Sequence, residues 1–331
     1  MVESHFWEVE SFDRFAAEPL PEAQWLVEPL FEQDSQVVLW GAPGSGKSFV
    51  ALSWAMHIAT GSPWLGLYPV KEANVVYCVG EGDRGMRRRA RAGATEYGFK
   101  SIPGLSFLSS APRIRDKKVL AEFLKMIKAK RPGQVIIDTL ARSFSGDENS
   151  AEHMNDWLNA AGVIQRETGA CVMVLHHTAK NIKKGGSASE RGSGALRGAM
   201  DTSILVRGGE HVTLTCVKQK DDRPFKDIDL QLKEIELRPA AFGRKALTSA
   251  VVVPFEETIP TSLVAGTPYE IALAALTMPM TRDQWREETK LSDGRTPPAS
   301  TFYRWVGKLE AEGLVKQSPD GLWRNCVGLT R

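Results

Sequence analysis

The stretch Gly41-Ala42-Pro43-Gly44-Ser45-Gly46-Lys47-Ser48 decides how this 331-residue chain is read. It fits the spacing Gly-x-x-x-x-Gly-Lys-Ser/Thr at every fixed position. It lies between an apolar, strand-like run, Gln36-Val37-Val38-Leu39-Trp40, and a helix-length segment, 47–60. Glycines let backbone N–H groups curl around phosphate oxygens, and a helix N-terminus adds the positive end of its dipole. Lys47 is then placed to reach β- and γ-phosphates, and the Ser48 hydroxyl to hold Mg²⁺. The expected cradle is Gly41, Ala42, Pro43, Gly44, Ser45, Gly46, Lys47, Ser48 and Phe49, with ATP as ligand and Mg²⁺ as cofactor.

On both sides of the loop, β-branched runs alternate with helical segments. Strands are expected at 36–40, 74–79, 105–109, 134–138 and 170–176, and helices at 47–60, 83–97, 116–130 and 150–168. Strands this apolar are buried on both faces, as in the mostly parallel sheet of an α/β domain. After residue 200 helices drop out, and runs at 202–206, 211–217, 229–237 and 249–253 are expected to extend the sheet in an antiparallel sense. The expected division is an acidic N-terminal segment 1–34, a core 35–253, a linker 254–267 and a small unit 268–331. In the last, three helices and a hairpin around a Ser-Pro-Asp-Gly turn describe a winged helix-turn-helix.

Three strand ends carry further chemistry. Asp138 closes Val135-Ile136-Ile137 and is the acid expected to hold Mg²⁺ through water. Glu81, just after Val75 to Val79, reads either as the general base for the attacking water or as a cap for the Arg-rich helix behind it. His176 and His177 end the strand before Thr178, where a polar group beside the acid can sense the γ-phosphate.

Composition narrows the class. Apolar residues at 42% and charged residues at 25% suit a packed domain, and exclude a largely disordered or collagen-like chain. No apolar run has the length of a membrane span, and the N-terminus does not read as a secretory signal. The four cysteines (Cys78, Cys171, Cys216, Cys326) lie far apart, as reduced thiols do in a cytoplasmic protein. Net charge is only +2, but residues 180–226 hold ten bases against five acids, a candidate face for a polyanion. On the Arg-rich helix, Arg84, Arg87, Arg88 and Arg91 share one face, which suits solvent, a subunit contact or DNA.

These elements in this order resemble the RepA-like branch of the RecA-type hexameric helicases, over roughly residues 20–225. The carriers are the phosphate loop, Val75-Val76-Tyr77 with Glu81, Ile136-Ile137-Asp138-Thr139-Leu140-Ala141-Arg142, Leu175-His176-His177-Thr178-Ala179-Lys180, and Arg191-Gly192-Ser193. The resemblance implies a RecA-like P-loop NTPase core of α/β class, with Lys47, Glu81, Asp138 and His177 catalytic: Glu81 the base and His177 the γ-phosphate sensor. It also implies a homo-oligomeric, hexameric ring translocating on single-stranded DNA during replication of a phage, plasmid or other mobile element, with an initiator or loader as possible partner. A recombination or mediator ATPase, or an ATP-controlled regulator reading duplex DNA through the winged helix, are the competing readings.

In RepA-like relatives an arginine shortly after Arg-Gly-Ser enters the neighbouring subunit's site, but Asp201 falls near that place here. The candidates for a finger in trans are therefore Lys218, Lys220, Arg197 and Arg207, with Lys218 and Lys220 favoured. DNA is expected at the loops after the Asp138 and His177 strands, with Lys180, Lys183, Lys184 and Arg191 on the second. Arg304 and Lys308 are the candidates on the third helix of the C-terminal unit.

Overall fold

The structure is a computed structural model that describes residues 10–17, 23–148, 150–178, 193–209, 211–241, 245–255, 268–290, 296–297, 299–311, 314–318 and 321–326. In chain order the elements are α1 (Phe12–Ala17), β1 (Trp25–Val27), β2 (Phe31–Glu32), β3 (Gln36–Gly41), α2 (Lys47–Ile58), β4 (Asn74–Val79), α3 (Asp83–Glu96), β5 (Leu105–Leu108) and α4 (Lys117–Lys128). There follow β6 (Pro132–Asp138), α5 (Leu140–Ser143), α6 (Ala151–Thr168), β7 (Cys171–His177), α7 (Ser193–Ala199), β8 (Thr202–Arg207), β9 (Val212–Gln219), β10 (Ile228–Arg238) and β11 (Leu247–Pro254). The C-terminal part holds α8 (Pro268–Ala275), α9 (Arg282–Glu288), α10 (Ala299–Ala311), β12 (Val315–Gln317) and β13 (Trp323–Asn325).

One nine-stranded sheet runs β11-β10-β9-β8-β3-β7-β6-β4-β5. Strands β8, β3, β7, β6, β4 and β5 are parallel, and β9, β10 and β11 continue antiparallel. Successive side chains of a strand point to opposite faces, and apolar residues at both parities give each face its own core. On one face Val37, Leu39, Tyr77, Met173 and Leu175 pack with Val50, Trp54 and Ile58 of α2. On the other, Val38, Trp40, Cys78, Val172 and Val174 pack with Phe123 of α4 and Trp157 and Ile164 of α6.

Two expectations are corrected. β8 does not join the antiparallel extension: it pairs with β3 in parallel, because α7 makes the stretch after β7 a crossover rather than a hairpin. The core also starts before residue 35. Leu26, Val27, Leu30 and Phe31 are fully buried in the α2-side cluster, although β1 and β2 are too short to show a period in the sequence.

Residues 268–326 have their own apolar cluster, built on Leu276, Trp285, Phe302, Trp305, Leu309 and Trp323. Thr281 caps α9 in a reciprocal box with Gln284. β12 and β13 form a hairpin, and Met280 bridges to Trp323 beside it. Most of the expected 254–267 linker lies outside the described residues.

Candidate nucleotide site

The parallel strands end in register. Leu39 of β3 pairs with Leu175 of β7, Leu175 with Asp138 of β6, and Asp138 with Val79 of β4. The residues following these positions therefore meet at one edge of the sheet, where the phosphate loop leaves β3.

The shape of the loop depends on its glycines. A Cβ on Gly41 would lie 2.2 Å from the carbonyl oxygen of Val206, inside any permitted contact. Gly46 sits at φ 98° before α2 and gives that helix no side-chain cap, so the first N–H groups remain directed into the loop. Lys47 is 3% exposed, and its ammonium donates to the carbonyls of Gly41 at 2.9 Å and Ala42 at 2.8 Å. Burial lowers its pKa to about 8, against the opposing pull of the nearby Asp138 carboxylate.

Asp138 is buried, and burial raises its pKa. The Tyr77 hydroxyl donates to Asp138 Oδ2 at 2.8 Å, the Ser48 hydroxyl also hydrogen-bonds the carboxylate, and Arg89 lends positive charge. A buried carboxylate touching a serine hydroxyl is a hard-oxygen pair of the kind that suits Mg²⁺. His177 lies within the fields of Lys47, Glu81 and Asp138, and burial is the largest cause of its lowered pKa. Buried at the ends of β6 and β7, Thr139 Oγ1, His177 Nδ1 and Thr178 Oγ1 have no hydrogen-bond partner among the described residues. Such atoms are normally satisfied. Neighbouring His176 is held down to about 4, first by burial and then by the charges of His177, Lys47 and Arg197.

Glu81 does not cap α3, whose cap residue is Gly82. Its Oε1 instead accepts from Arg142 Nε on α5 at 2.7 Å. The Arg-rich helix divides its arginines: Arg84, Arg87, Arg88 and Arg91 face solvent, while Arg89 turns inward with its guanidinium 4.4 Å from the centre of the Phe49 ring. Tyr77, Arg89 and Arg142 are site residues that the sequence reading had not assigned. The one available signal was for Arg89, the arginine left off the shared face.

All four finger candidates have partners in their own chain. Lys218 donates to the carbonyls of Gly198 at 2.7 Å and Met200 at 2.6 Å, and Lys220 lies 3.4 Å from Asp201. Arg197 stacks 4.6 Å from the Trp40 ring centre, and Arg207 donates to Thr215 and Asp227. Because β9 is antiparallel to β8, Lys218 and Lys220 stand at the end of the sheet opposite the phosphate loop. Lys180, Lys183, Lys184 and Arg191 lie outside the described residues, as do the side chains of Arg304 and Lys308.

A phosphate loop on β3, an acid on β6 and a strand, β7, inserted between them define a P-loop nucleoside triphosphatase with a RecA-like core. The chain belongs to the AAA_25 family of AAA domains, whose match spans residues 4–182, more than half its length. It is also similar to a KaiC-like protein of the hyperthermophilic archaeon Pyrococcus horikoshii, with a TM-score of 0.47 and 16% identity over 69% of this chain and 94% of that one. A likeness that low carries no argument about activity. No curated protein matches the sequence. No helix among the described residues is long and apolar enough to cross a membrane.

Proposed function

We propose that this ATPase is a RepA-like ring helicase that hydrolyses ATP while translocating on single-stranded DNA during replication of a mobile element. The observation that supports it is the convergence of Lys47, Asp138, His177 and Glu81 at one sheet edge, from which the chain also leaves β6 and β7. The segment after β7 carries Lys180, Lys183, Lys184 and Arg191, cations that would follow a phosphate backbone. Hydrolysis and DNA contact would then share the same two strand ends.

In this reading the phosphate loop and Lys47 bind the triphosphate, and Lys47 exchanges its loop carbonyls for phosphate oxygens. Ser48 and Asp138 would hold Mg²⁺, which when bound would offset charge on the triphosphate. Glu81 takes a proton from the attacking water, and His177, neutral at pH 7, offers its unpartnered nitrogen toward the γ-phosphate. In a ring, Lys218 and Lys220 would reach a neighbour's γ-phosphate after releasing Gly198, Met200 and Asp201. Residues 268–331, as a winged helix, would add a contact to duplex DNA or to a loading protein.

Unwinding of a forked duplex by the full chain tests the assignment. ATP-dependent release of the labelled strand, absent in Lys47→Ala, is expected. ATP hydrolysis on single-stranded DNA with no release at any enzyme concentration would instead favour a mediator ATPase.

A further inference from the structure

The arginines on the outer face of α3 take no part in the site described above, and the helix does not favour them where they stand. Its exposed residues are Arg84, Arg87, Arg88, Arg91 and Thr95, with no apolar side chain among them. Arg84 and Arg88, like Arg87 and Arg91, are four residues apart, and Arg88 and Arg91 are three apart. Like charges at those spacings repel across a helix surface. Arg84 also stands in the first turn, at the positive end of the helix dipole, where a cation is disfavoured. Little in the chain offsets this. Asp83 pairs with Arg87 at 3.0 Å and Glu96 with Lys233 at 2.7 Å, while Arg84, Arg88 and Arg91 form no ion pair among the described residues. The inner face fixes the row in place: Ala92 packs with Ile235 and Val251, and a Cβ on Gly93 would lie 2.7 Å from Met56 Sδ.

We propose that Arg84, Arg88 and Arg91 form a further contact for single-stranded DNA, which lays its phosphates along the outer face of α3. This deepens the single-strand reading above and rests on it. The three positions make one row about 10 Å long. The row starts three residues after Glu81, at the sheet edge from which the chain also leaves β6 and β7. A guanidinium takes two oxygens of one phosphate in parallel hydrogen bonds, so a row of them suits a backbone with one charge per nucleotide. The anionic backbone also turns the repulsion within the row into attraction. A protein partner fits this face poorly, because the centre of a protein interface buries apolar and aromatic side chains and α3 exposes none. With no exposed ring on which bases could stack, the contact follows the backbone and not the sequence.

The test compares full-length wild type with Arg84→Gln/Arg88→Gln/Arg91→Gln, in which glutamine keeps a similar helix propensity. A control, Lys117→Gln/Lys118→Gln/Lys125→Gln, removes the same charge from exposed positions of α4. Binding of labelled oligo(dT), and of a duplex of the same length, is titrated by fluorescence anisotropy over a range of salt. The denaturant midpoint and ATP affinity are read for each chain. The arginine variant should bind oligo(dT) at least about ten-fold more weakly, and the slope of log K against log salt should shrink by about 2, at about 0.7 per lost phosphate contact. Its midpoint should hold or rise, because the repelling charges are gone, and its ATP affinity should hold. The lysine variant should bind as wild type does. A wild-type slope in the arginine variant, or binding no weaker than that of the lysine variant, would overturn the proposal. So would weakened duplex binding with oligo(dT) binding intact, and so would a lowered midpoint, which marks the arginines as structural. Loss of self-association in sedimentation, with DNA binding unchanged, would assign the face instead to the acidic segment 1–34 of a second copy. A wild type that binds no oligo(dT) would overturn the single-strand reading itself, whereas the other contrary outcomes bear on α3 alone.

Discussion

Tyr77 of β4 lies diagonally across from Asp138 of β6, whose direct partner is Val79, and the phenolic O–H donates to Asp138 Oδ2 at 2.8 Å. This is the contact that makes a buried carboxylate tolerable at the end of an apolar strand. Burial raises the pKa of Asp138, and the Tyr77 hydrogen bond is the largest influence opposing that rise. The phenol is itself fully buried, with its pKa pushed far up, so it stays a donor at every working pH.

Tyr77→Phe should therefore cost more than one ordinary hydrogen bond, because it leaves a buried acceptor short of its donor. A loss of about 1–3 kcal/mol in unfolding free energy is expected, read as a lower denaturant midpoint. An unchanged midpoint would show that solvent or Ser48 satisfies the carboxylate equally well.

Lys47 and Glu81 should fail in different ways. Lys47→Ala removes the ammonium held by the loop carbonyls and should weaken ATP binding, measured by calorimetry. Glu81→Gln keeps the shape and should bind ATP while turning it over about a hundred-fold more slowly. Near-normal turnover in Glu81→Gln would remove Glu81 from the base role.

Gly41→Ala tests the loop geometry without touching a charge. The new methyl would meet the Val206 carbonyl oxygen at 2.2 Å, so either β8 or the loop must move. Nucleotide affinity should fall at least about ten-fold, and some stability with it, since the strain falls on the buried end of β3 against the β8 backbone. Equal affinity, by fluorescence titration of a labelled nucleotide, would count against this conformation as the binding one.

The buried histidines set an acid limit. His57, whose ring Nδ1 lies 2.8 Å from the Ser53 carbonyl, has a lowered pKa from burial, and His176 is held down to about 4. Below about pH 6.5 the unfolded chain takes up protons that the folded one refuses, so stability is complete above that pH and declines toward pH 4. The decline is up to about 1.4 kcal/mol per pH unit for each such histidine. His57→Phe should lessen the fall in Tm between pH 6.5 and 5. A fall identical to that of wild type would exclude His57 from the effect.

Much of the core was legible because its signals are local. Gly41 to Ser48 fixes a loop by spacing, and apolar runs such as Val135-Ile136-Ile137 announce strands buried on both faces. What was not legible depends on tertiary neighbours. Trp25–Val27 and Phe31–Glu32 are too short to show a period, yet Leu26 and Phe31 are fully buried under α2. The direction of β8 turns on α7, a seven-residue helix whose sequence, with four small residues after Ser193, carries little apolar pattern. The candidate site was legible in Lys47, Asp138 and His177, each at a strand or helix end. Tyr77, Arg89 and Arg142 were not, because nothing in their spacing tells which charged or polar group they meet across the sheet.

Steady-state ATP hydrolysis by the full chain, with and without single-stranded DNA and with Lys47→Ala as control, tests the central claim most directly. Hydrolysis that depends on Mg²⁺, rises with oligo(dT) and disappears in Lys47→Ala is the predicted result. ATP binding without hydrolysis, or hydrolysis indifferent to single strands of any length, would contradict a motor driven at the ends of β6 and β7.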